Sequence, residues 1–214
     1  MKKLLIVYYT WSNGNTEYIA KKLQNVADGD LLKIDTAVPY SGSYDDVVNQ
    51  GQDEVERGYE PELKPIGVNI SDYDVIAVGT PTWWYTMAPA VLTFLHSHDF
   101  AGKTVVPFMT NGGWPGHVIK DMKKACPGAE FACDMQVRFD SNGGDHLETA
   151  EKEIETWAEK SQSTAVNKEK MKYGIYHIVK RYQNAAAWLR RLSGNKRRVR
   201  TLCFRCARGR LPLH

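Results

Sequence analysis

Long apolar runs are missing from this chain of 214 residues. No stretch approaches the roughly 20 apolar residues that a membrane-spanning helix needs. The apolar run after Met1-Lys2-Lys3 is too short for a signal peptide, and no small-residue cleavage site follows it. Cysteine is also scarce, and the 4 cysteines of the chain form no dense disulfide framework. We therefore predict a cytoplasmic protein with reduced thiols, long enough for one α/β domain plus an appendage.

Acidic residues are nearly absent from the C-terminal quarter of the chain. Residues 165–214 contain 14 of the 28 Lys and Arg residues but one of the 25 Asp and Glu residues, a net charge of +13 that leaves −10 on residues 1–164. An acidic body repels nucleic acid, whereas a basic segment is attracted to anionic surfaces. We predict two domains, a globular one at 1–164 and a basic C-terminal extension, partly helical or disordered, at 165–214.

Apolar segments of strand length alternate with amphipathic segments of helical length along residues 1–164. Strands are predicted at Lys2–Tyr8, Asp30–Ala37, Tyr73–Thr80, Lys103–Thr110 and Glu130–Phe139. Helices are predicted around Ile19–Val26 and at Asp45–Tyr59, Ala88–Leu95, Gly116–Lys124 and His146–Lys160, with the charges of Asp45–Tyr59 facing solvent. This rhythm predicts an α/β fold with a doubly wound, five-stranded parallel sheet and helices on both faces. In such sheets, ligands bind beyond the carboxyl ends of the strands, where the strand order reverses.

The loop after the first strand, Thr10–Thr16 or TWSNGNT, is rich in hydroxyl and amide side chains. It leads directly into a helix, so its amides and those of the first helical turn point outward at the positive end of the helix dipole. The loop has no Lys or Arg, and it matches neither the triphosphate-binding loop nor the dinucleotide fingerprint. The pattern favours a monophosphate held by neutral donors. A helix N-cap is the alternative, because Ser, Asn and Thr are common there.

Aromatic residues crowd the loops after the third and fourth strands. Pro81–Tyr85 reads PTWWY, and Trp114 follows two glycines. Aromatic side chains in surface loops expose apolar area unless they cover something, and a planar ring packs well on another planar ring. Core packing or a protein interface is the alternative for the aromatic residues alone. Beside a phosphate loop on the neighbouring strand, they predict a flat aromatic ligand that carries one phosphate.

With these three loops in this order, the chain from Met1 to about Lys160 resembles the flavodoxin-like family of FMN-binding proteins. It is most similar to short bacterial flavodoxins in which a Trp-Trp or Trp-aromatic pair follows the third strand. The resemblance implies the strand order 2-1-3-4-5, with FMN bound noncovalently at the point of reversal. It assigns the FMN phosphate to the first loop and the isoalloxazine ring to the other two. The implied cofactor-binding residues are Thr10, Trp11, Ser12, Asn13, Gly14, Asn15, Thr16, Pro81, Thr82, Trp83, Trp84, Tyr85, Thr86, Thr110, Asn111, Gly112, Gly113 and Trp114, without catalytic side chains or metal ligands.

Two positions depart from the family pattern. The first loop has one residue more before Gly14 than relatives with a Ser-x-Ser-Gly-Asn-Thr pattern, so the loop amides are expected to define the phosphate site more than the hydroxyls do. Tyr85 stands where many relatives carry glycine, whose peptide can flip to hydrogen-bond the half-reduced flavin. We expect a bulky residue there to resist the positive φ that such a flip needs.

The resemblance implies an electron-transfer flavoprotein that works with redox partner proteins. The acidic surround and the aromatic rings would then tune the flavin potential. An NAD(P)H-dependent quinone or flavin reductase on the same fold is the alternative; it needs an open flavin face, and usually a dimer or tetramer. A nucleic-acid or membrane adaptor led by the basic tail is a third hypothesis, which the acidic body disfavours.

Three remaining features have local interpretations. His96 and His98 do not share a helical face and have no carboxylate cluster beside them, which disfavours a metal site. Cys203 and Cys206 form one isolated Cys-x-x-Cys pair, which we interpret as incidental. Tyr173–Leu192 has an apolar stripe flanked by basic residues, which is typical of a helix that binds a membrane or an acidic partner. Docking onto the acidic body and an accidental tail are the alternatives, and disorder is predicted beyond Ser193.

Overall fold

A computed structural model describes residues 4–141 and 144–193. The chain divides into two units after Glu169, whereas the charge pattern predicts a domain boundary after residue 164, which stays a prediction. The first unit contains the sheet and the three loops of the predicted site. The described part of the second unit is helical as far as Ser193. The predicted disorder beyond Ser193 and the Cys203-Cys206 pair lie outside the described residues.

The strands and helices alternate along the first unit. The strands are β1 Leu5–Tyr8, β2 Asp30–Lys33, β3 Val75–Trp83, β4 Thr86–Met87, β5 Thr104–Asn111, β6 Glu130–Phe131 and β7 Met135–Arg138. The helices are α1 Asn15–Ala27, α2 Tyr44–Arg57, α3 Pro89–His96, α4 Val118–Ala125 and α5 Glu151–Ser193, with a 3-10 turn at Ile70–Asp72. None of the helices in the described residues is long and apolar enough to cross a membrane.

The main sheet is parallel, in the order β2-β1-β3-β5-β6, with β7 also beside β5. The predicted α/β fold, parallel sheet and 2-1-3-4-5 order are confirmed, because β6 and β7 pair with successive parts of β5 and together form the fifth strand. The strand is interrupted around Cys133, which has a φ of 52°. A residue at positive φ cannot continue an extended strand, so the prediction of one unbroken strand at Glu130–Phe139 is wrong.

Alternate residues of the central strands face two separate cores. Leu5 and Val7 belong to the core beneath α3 and α4, whereas Ile6 belongs to the core with α1 and the start of α5. Such double burial requires side chains that are apolar at successive positions, and all of β1 is buried. The sheet therefore has helices on both faces, and its carboxyl edge is left for the connecting loops.

Helix α5 differs from the predicted His146–Lys160 segment at both ends. It begins at Glu151 and continues to Ser193. The chain before it is held by the Asp140 carboxylate, which accepts the His146 amide at 3.2 Å. The predicted amphipathic segment Tyr173–Leu192 lies within this helix.

Candidate functional site

A cavity of about 300 Å³ lies at the carboxyl ends of β1, β3 and β5, where the strand order reverses. This volume is at the lower end of the range typical of small-molecule sites, about 300–1,000 Å³. All three predicted loops reach it. The predicted residues that line it are Thr10, Trp11, Ser12, Asn13, Asn15, Thr16, Pro81, Thr82, Trp83, Trp84, Thr110, Asn111 and Gly112.

The first loop ends in a glycine cap. Gly14 is the N-cap of α1, with a φ of 76° and no side-chain cap bond. The alternative interpretation of the loop as a Ser, Asn or Thr cap is therefore wrong. Inside the helix, the Thr16 hydroxyl is 2.8 Å from the Thr110 hydroxyl, and the Asn15 amide donates to the Gly144 carbonyl at 2.9 Å. These bonds connect the start of α1 to the end of β5 and to the segment that follows β7.

The loop after β5 is shaped by Asn111 and by a close backbone approach. The Asn111 side chain donates to the Val137 carbonyl at 3.1 Å and accepts the Gly113 amide at 2.8 Å. A Cβ at Gly112 would lie 3.1 Å from the Asp140 carbonyl oxygen, tighter than nearly all real Cβ contacts. Gly112 thus lets this loop lie directly against the chain that follows the fifth strand.

The loop after β3 is a hairpin, which was not predicted. β4 pairs antiparallel with the end of β3, and Trp84 and Tyr85 form the two-residue turn at φ of 48° and 68°. Two-residue turns with both φ positive match the right-handed twist of the flanking strands, but they favour Asn and Gly. Tyr85 is thus found at positive φ, contrary to expectation, although this conformation remains costly for a residue with a Cβ. The Trp84 indole N–H donates to the Val48 carbonyl at 2.8 Å.

Helix α2 forms one wall of the cavity, through Tyr44, Val47, Val48 and Gly51. The prediction of a solvated helix describes only its outer face, where Asp45, Asp46 and Asp53 are exposed. Val47, Gly51 and Glu54 are buried at helical spacing, but only Val47 is apolar, so the apolar pattern did not indicate this buried stripe. The contacts of this stripe depend on where the long connection between β2 and β3 places α2 on the sheet.

Trp83 is the centre of an aromatic cluster behind this wall. Its ring lies 4.9 Å from that of Tyr40, 6.1 Å from that of Tyr9 and 6.3 Å from that of Trp11, in edge-to-face geometry. Burial, together with a 2.5 Å hydrogen bond to Glu54, raises the pKa of Tyr40. Burial likewise raises the pKa of Tyr9, and nearby carboxylates add to the effect. Tyr9 is buried and Tyr40 is partly buried, and the loss of water around both phenols is the main cause of these shifts.

Sequence reasoning missed three further lining residues, Phe139, Asp140 and Gly144. They follow the fifth strand, and the rule that ligands bind at the carboxyl ends of strands could have found them. Conversely, five predicted residues lie outside the described lining: Gly14, Tyr85, Thr86, Gly113 and Trp114. Tyr85 is 52% exposed and Trp114 is 60% exposed.

One buried polar atom in the cavity wall has no partner. The Thr82 hydroxyl oxygen is buried without a hydrogen-bond partner among the described residues. An unpaired buried hydroxyl costs free energy that a hydrogen-bonding ligand would recover. Of the described lining residues, none is Lys or Arg. The donor set thus fits a ligand held by neutral amides and hydroxyls, such as a planar ring with a monophosphate. Among the side chains that the structure describes, no three metal-binding groups lie together.

Comparison with known proteins agrees with this geometry. A family model described as flavodoxin matches residues 3–161. A crystal structure of a protein from Bacteroides eggerthii described as a flavoprotein is 30% identical, with a TM-score of 0.60, over 73% of this chain and 96% of its own. A similar protein from Bacteroides uniformis is 26% identical, with a TM-score of 0.62, over 74% and 99%. No curated protein matches the chain.

A more distant structure contains a ligand. A flavoprotein from Lactobacillus acidophilus, crystallised in complex with FMN, is 21% identical, with a TM-score of 0.54, over 64% of this chain and 93% of its own. At that identity, the likeness concerns the fold.

Proposed function

The chain belongs to the flavodoxin family, and from this premise we propose that it is an FMN-binding protein that transfers electrons between partner proteins. The observation that carries the proposal is the convergence of the cation-free first loop, the Trp83–Trp84 segment and the Asn111–Gly112 segment on one cavity of about 300 Å³. FMN has the chemistry that these walls recognise, a planar ring system and one terminal phosphate.

The first loop would hold the phosphate. Its amides at the start of α1, with the hydroxyls of Thr10 and Ser12, are neutral donors at the positive end of a helix dipole. Hydrogen bonds to a charged acceptor are about twice as strong as neutral ones. The Gly14 cap leaves the entrance free of a capping side chain, which supports this assignment.

The other loops would hold the ring. Thr82, Trp83 and Trp84 line the side of the cavity where the ring would lie. The Thr82 hydroxyl is buried without a partner among the described residues, and it would gain one if binding brought a polar ring atom within reach. The bound isoalloxazine supplies the electron chemistry, and no side chain of the chain is needed as a general acid or base. Asp140 lines the cavity, and the described lining contains no Lys or Arg. The site therefore disfavours the negative charge that the flavin gains on reduction, and this would lower the reduction potential of the bound flavin.

Titration of the protein with FMN, riboflavin and FAD tests the cofactor. We expect FMN to bind more tightly than riboflavin, because riboflavin lacks the phosphate and its charge-assisted hydrogen bonds. Each affinity can be read from the quenching of flavin emission. Equal affinities for FMN and riboflavin would contradict the phosphate assignment.

A specific observation keeps the reductase as a second candidate. Hydride transfer from NAD(P)H needs an open flavin face, and Trp114 lies outside the described lining and is 60% exposed. Stopped-flow mixing of the FMN-loaded protein with NADH or NADPH, without any partner, separates the two functions. A carrier is reduced negligibly, whereas bleaching at catalytic rates with either nucleotide establishes the reductase.

The acidic body suits a basic redox partner. If the protein is a carrier, electron exchange with such a partner is steered by surface charge, which salt screens within a Debye length of about 10 Å at 0.1 M. The exchange rate should therefore fall steeply with ionic strength. A rate independent of salt would contradict a charge-steered partner.

A further inference from the structure

The Trp84–Tyr85 turn is strained at the edge of the flavin cavity. Both residues lie at positive φ, 48° and 68°, a region that costs free energy for a side chain with a Cβ. Trp84 lines the cavity, whereas Tyr85 lies outside the described lining and is half-exposed. Such a turn persists only if the surrounding groups hold it, so its contacts identify the residues that position Trp84.

One side of the turn is held by α2. The Trp84 indole N–H donates to the Val48 carbonyl at 2.8 Å. This bond fixes the ring against the helix that forms a cavity wall. It does not fix the backbone of Tyr85, which needs a second support.

The start of α4 provides that second support. The His117 amide donates to the Tyr85 carbonyl at 2.8 Å. A Cβ at Gly116 would lie 2.1 Å from the same carbonyl oxygen, so only glycine permits this approach. The Thr86 hydroxyl, one residue after the turn, donates to Asp121 Oδ2 at 2.6 Å.

Asp121 joins these contacts. Its Oδ2 accepts both the Thr86 hydroxyl and the His117 ring Nδ1–H. One carboxylate oxygen therefore links β4 to the residue whose amide holds the Tyr85 carbonyl. Asp121 lies outside the described cavity lining, so it can affect a ligand there through the turn or through its charge, and the two can be separated.

We propose that Asp121 is a positioning residue of the flavin site: through Thr86 and His117 it holds the Trp84–Tyr85 turn in its left-handed conformation and so keeps Trp84 in the cavity wall. The inference deepens the proposed function and rests on it. It assigns a role to Asp121, which lies in α4 and outside the three cavity loops.

Two substitutions of Asp121 separate hydrogen bonding from charge. Asp121→Ala removes the acceptor, and we expect FMN to bind about tenfold more weakly, as for the loss of a hydrogen bond to a charged group. Asp121→Asn removes the charge but keeps an acceptor oxygen, and should stay within about threefold of the wild type. The matched control is Asp53→Ala, an exposed acid of α2 paired with Arg57, which should leave the affinity unchanged. Equal losses in the Asn and Ala variants would overturn the proposal in favour of a charge effect.

The emission of bound flavin distinguishes positioning from a general loss of stability. At saturating FMN, the Asp121→Ala complex should emit more than the wild type, because Trp84 no longer holds its place against the ring. A variant that is merely less stable gives the same emission once it is saturated. Unchanged emission in the saturated Asp121→Ala complex would count against the proposal.

A double-mutant cycle tests the strain directly. Glycine takes a positive φ without penalty, so in a Tyr85→Gly background the Asp121→Ala loss should shrink from about tenfold to below about threefold. The thermal midpoint of the apoprotein should follow the same pattern, with Asp121→Ala lowering it less when residue 85 is glycine. If the two substitutions act additively in both measurements, Asp121 does not support the turn. If wild-type protein fails to bind FMN, the proposed function fails, while the apoprotein cycle still tests the contact.

Discussion

Thr16 and Thr110 share a buried hydrogen bond, 2.8 Å between their hydroxyl oxygens, although 94 residues separate them in the chain. Thr16 lies in the first turn of α1, and Thr110 lies near the end of β5. The bond therefore joins the loop proposed to bind the phosphate, Thr10–Thr16, to the loop that would flank the flavin ring. This hydrogen bond fixes the distance between two walls of the cavity, and it does so without any contact to a ligand.

Thr110→Val should destabilise the apoprotein, because the Thr16 hydroxyl is left buried without a partner. The expected loss in the free energy of unfolding is about 1–3 kcal/mol. The double variant Thr16→Val with Thr110→Val removes both hydroxyls and should recover most of that loss. Urea unfolding of the wild type, the two single variants Thr16→Val and Thr110→Val, and the double variant measures it. Additive losses in the double variant would mean that the two hydroxyls do not depend on each other.

Thr82→Val should have opposite effects on folding and on binding. The Thr82 hydroxyl is buried without a partner among the described residues, so its removal should leave the apoprotein equally or more stable, while FMN affinity falls by about 1 kcal/mol. Thr80→Val is the matched control, because the Thr80 hydroxyl accepts the Ala88 amide at 3.0 Å. That variant should destabilise the apoprotein. Urea unfolding and FMN titration of both variants check the contrast. Normal FMN binding by the Thr82→Val protein would show that the Thr82 hydroxyl does not contact the ligand.

Trp84→Ala should weaken FMN binding more than Trp114→Ala. Trp84 lines the cavity and is 39% exposed, whereas Trp114 lies outside the described lining and is 60% exposed. A lost stacking partner costs about 1 kcal/mol beyond the lost area, and Trp84→Ala should also raise the emission of bound flavin. Fluorescence titration measures both quantities. A larger loss for Trp114→Ala would show that the loop after β5 closes over the ring on binding.

Alkaline pH should unfold the protein through its buried tyrosines. Burial raises the pKa of Tyr8 to about 12, and burial also raises the pKa of Tyr9. Above the ordinary pKa of 10.0, the unfolded chain loses these protons while the folded protein keeps them, so stability falls as pH rises from about 10 towards 12. Each tyrosine contributes up to about 1.4 kcal/mol per pH unit. Urea unfolding between pH 9 and 11 measures the slope, which Tyr9→Phe should reduce; an unchanged slope in that variant would exclude Tyr9 as a cause.

The hairpin after β3 shows where local patterns stopped being sufficient. The sequence of Thr82–Met87 contains no Asn or Gly, the residues that favour a two-residue turn, so nothing local predicted β4. The turn is held by two hydrogen bonds: the Val48 carbonyl of α2 accepts the Trp84 indole N–H, and the His117 amide at the start of α4 donates to the Tyr85 carbonyl. Both partners are distant in sequence, and their positions follow from the packing of the helices on the sheet. The interruption of the fifth strand at Cys133 is a comparable case, because the Cys133 carbonyl accepts the indole N–H of Trp157 on α5.

The amino-acid sequence by itself determined the alternation of strands and helices, the order of the three loops and the neutral character of the first loop. These features depend on residue type and on spacings of two to four residues, which a chain shows before it folds. Tertiary structure alone decided that the inner face of α2 lines the cavity, that Thr82 keeps an unpartnered hydroxyl there, and that Trp114 and Tyr85 lie outside it. Those outcomes depend on contacts between segments far apart in sequence, and such contacts form only when the helices pack against the two faces of the sheet.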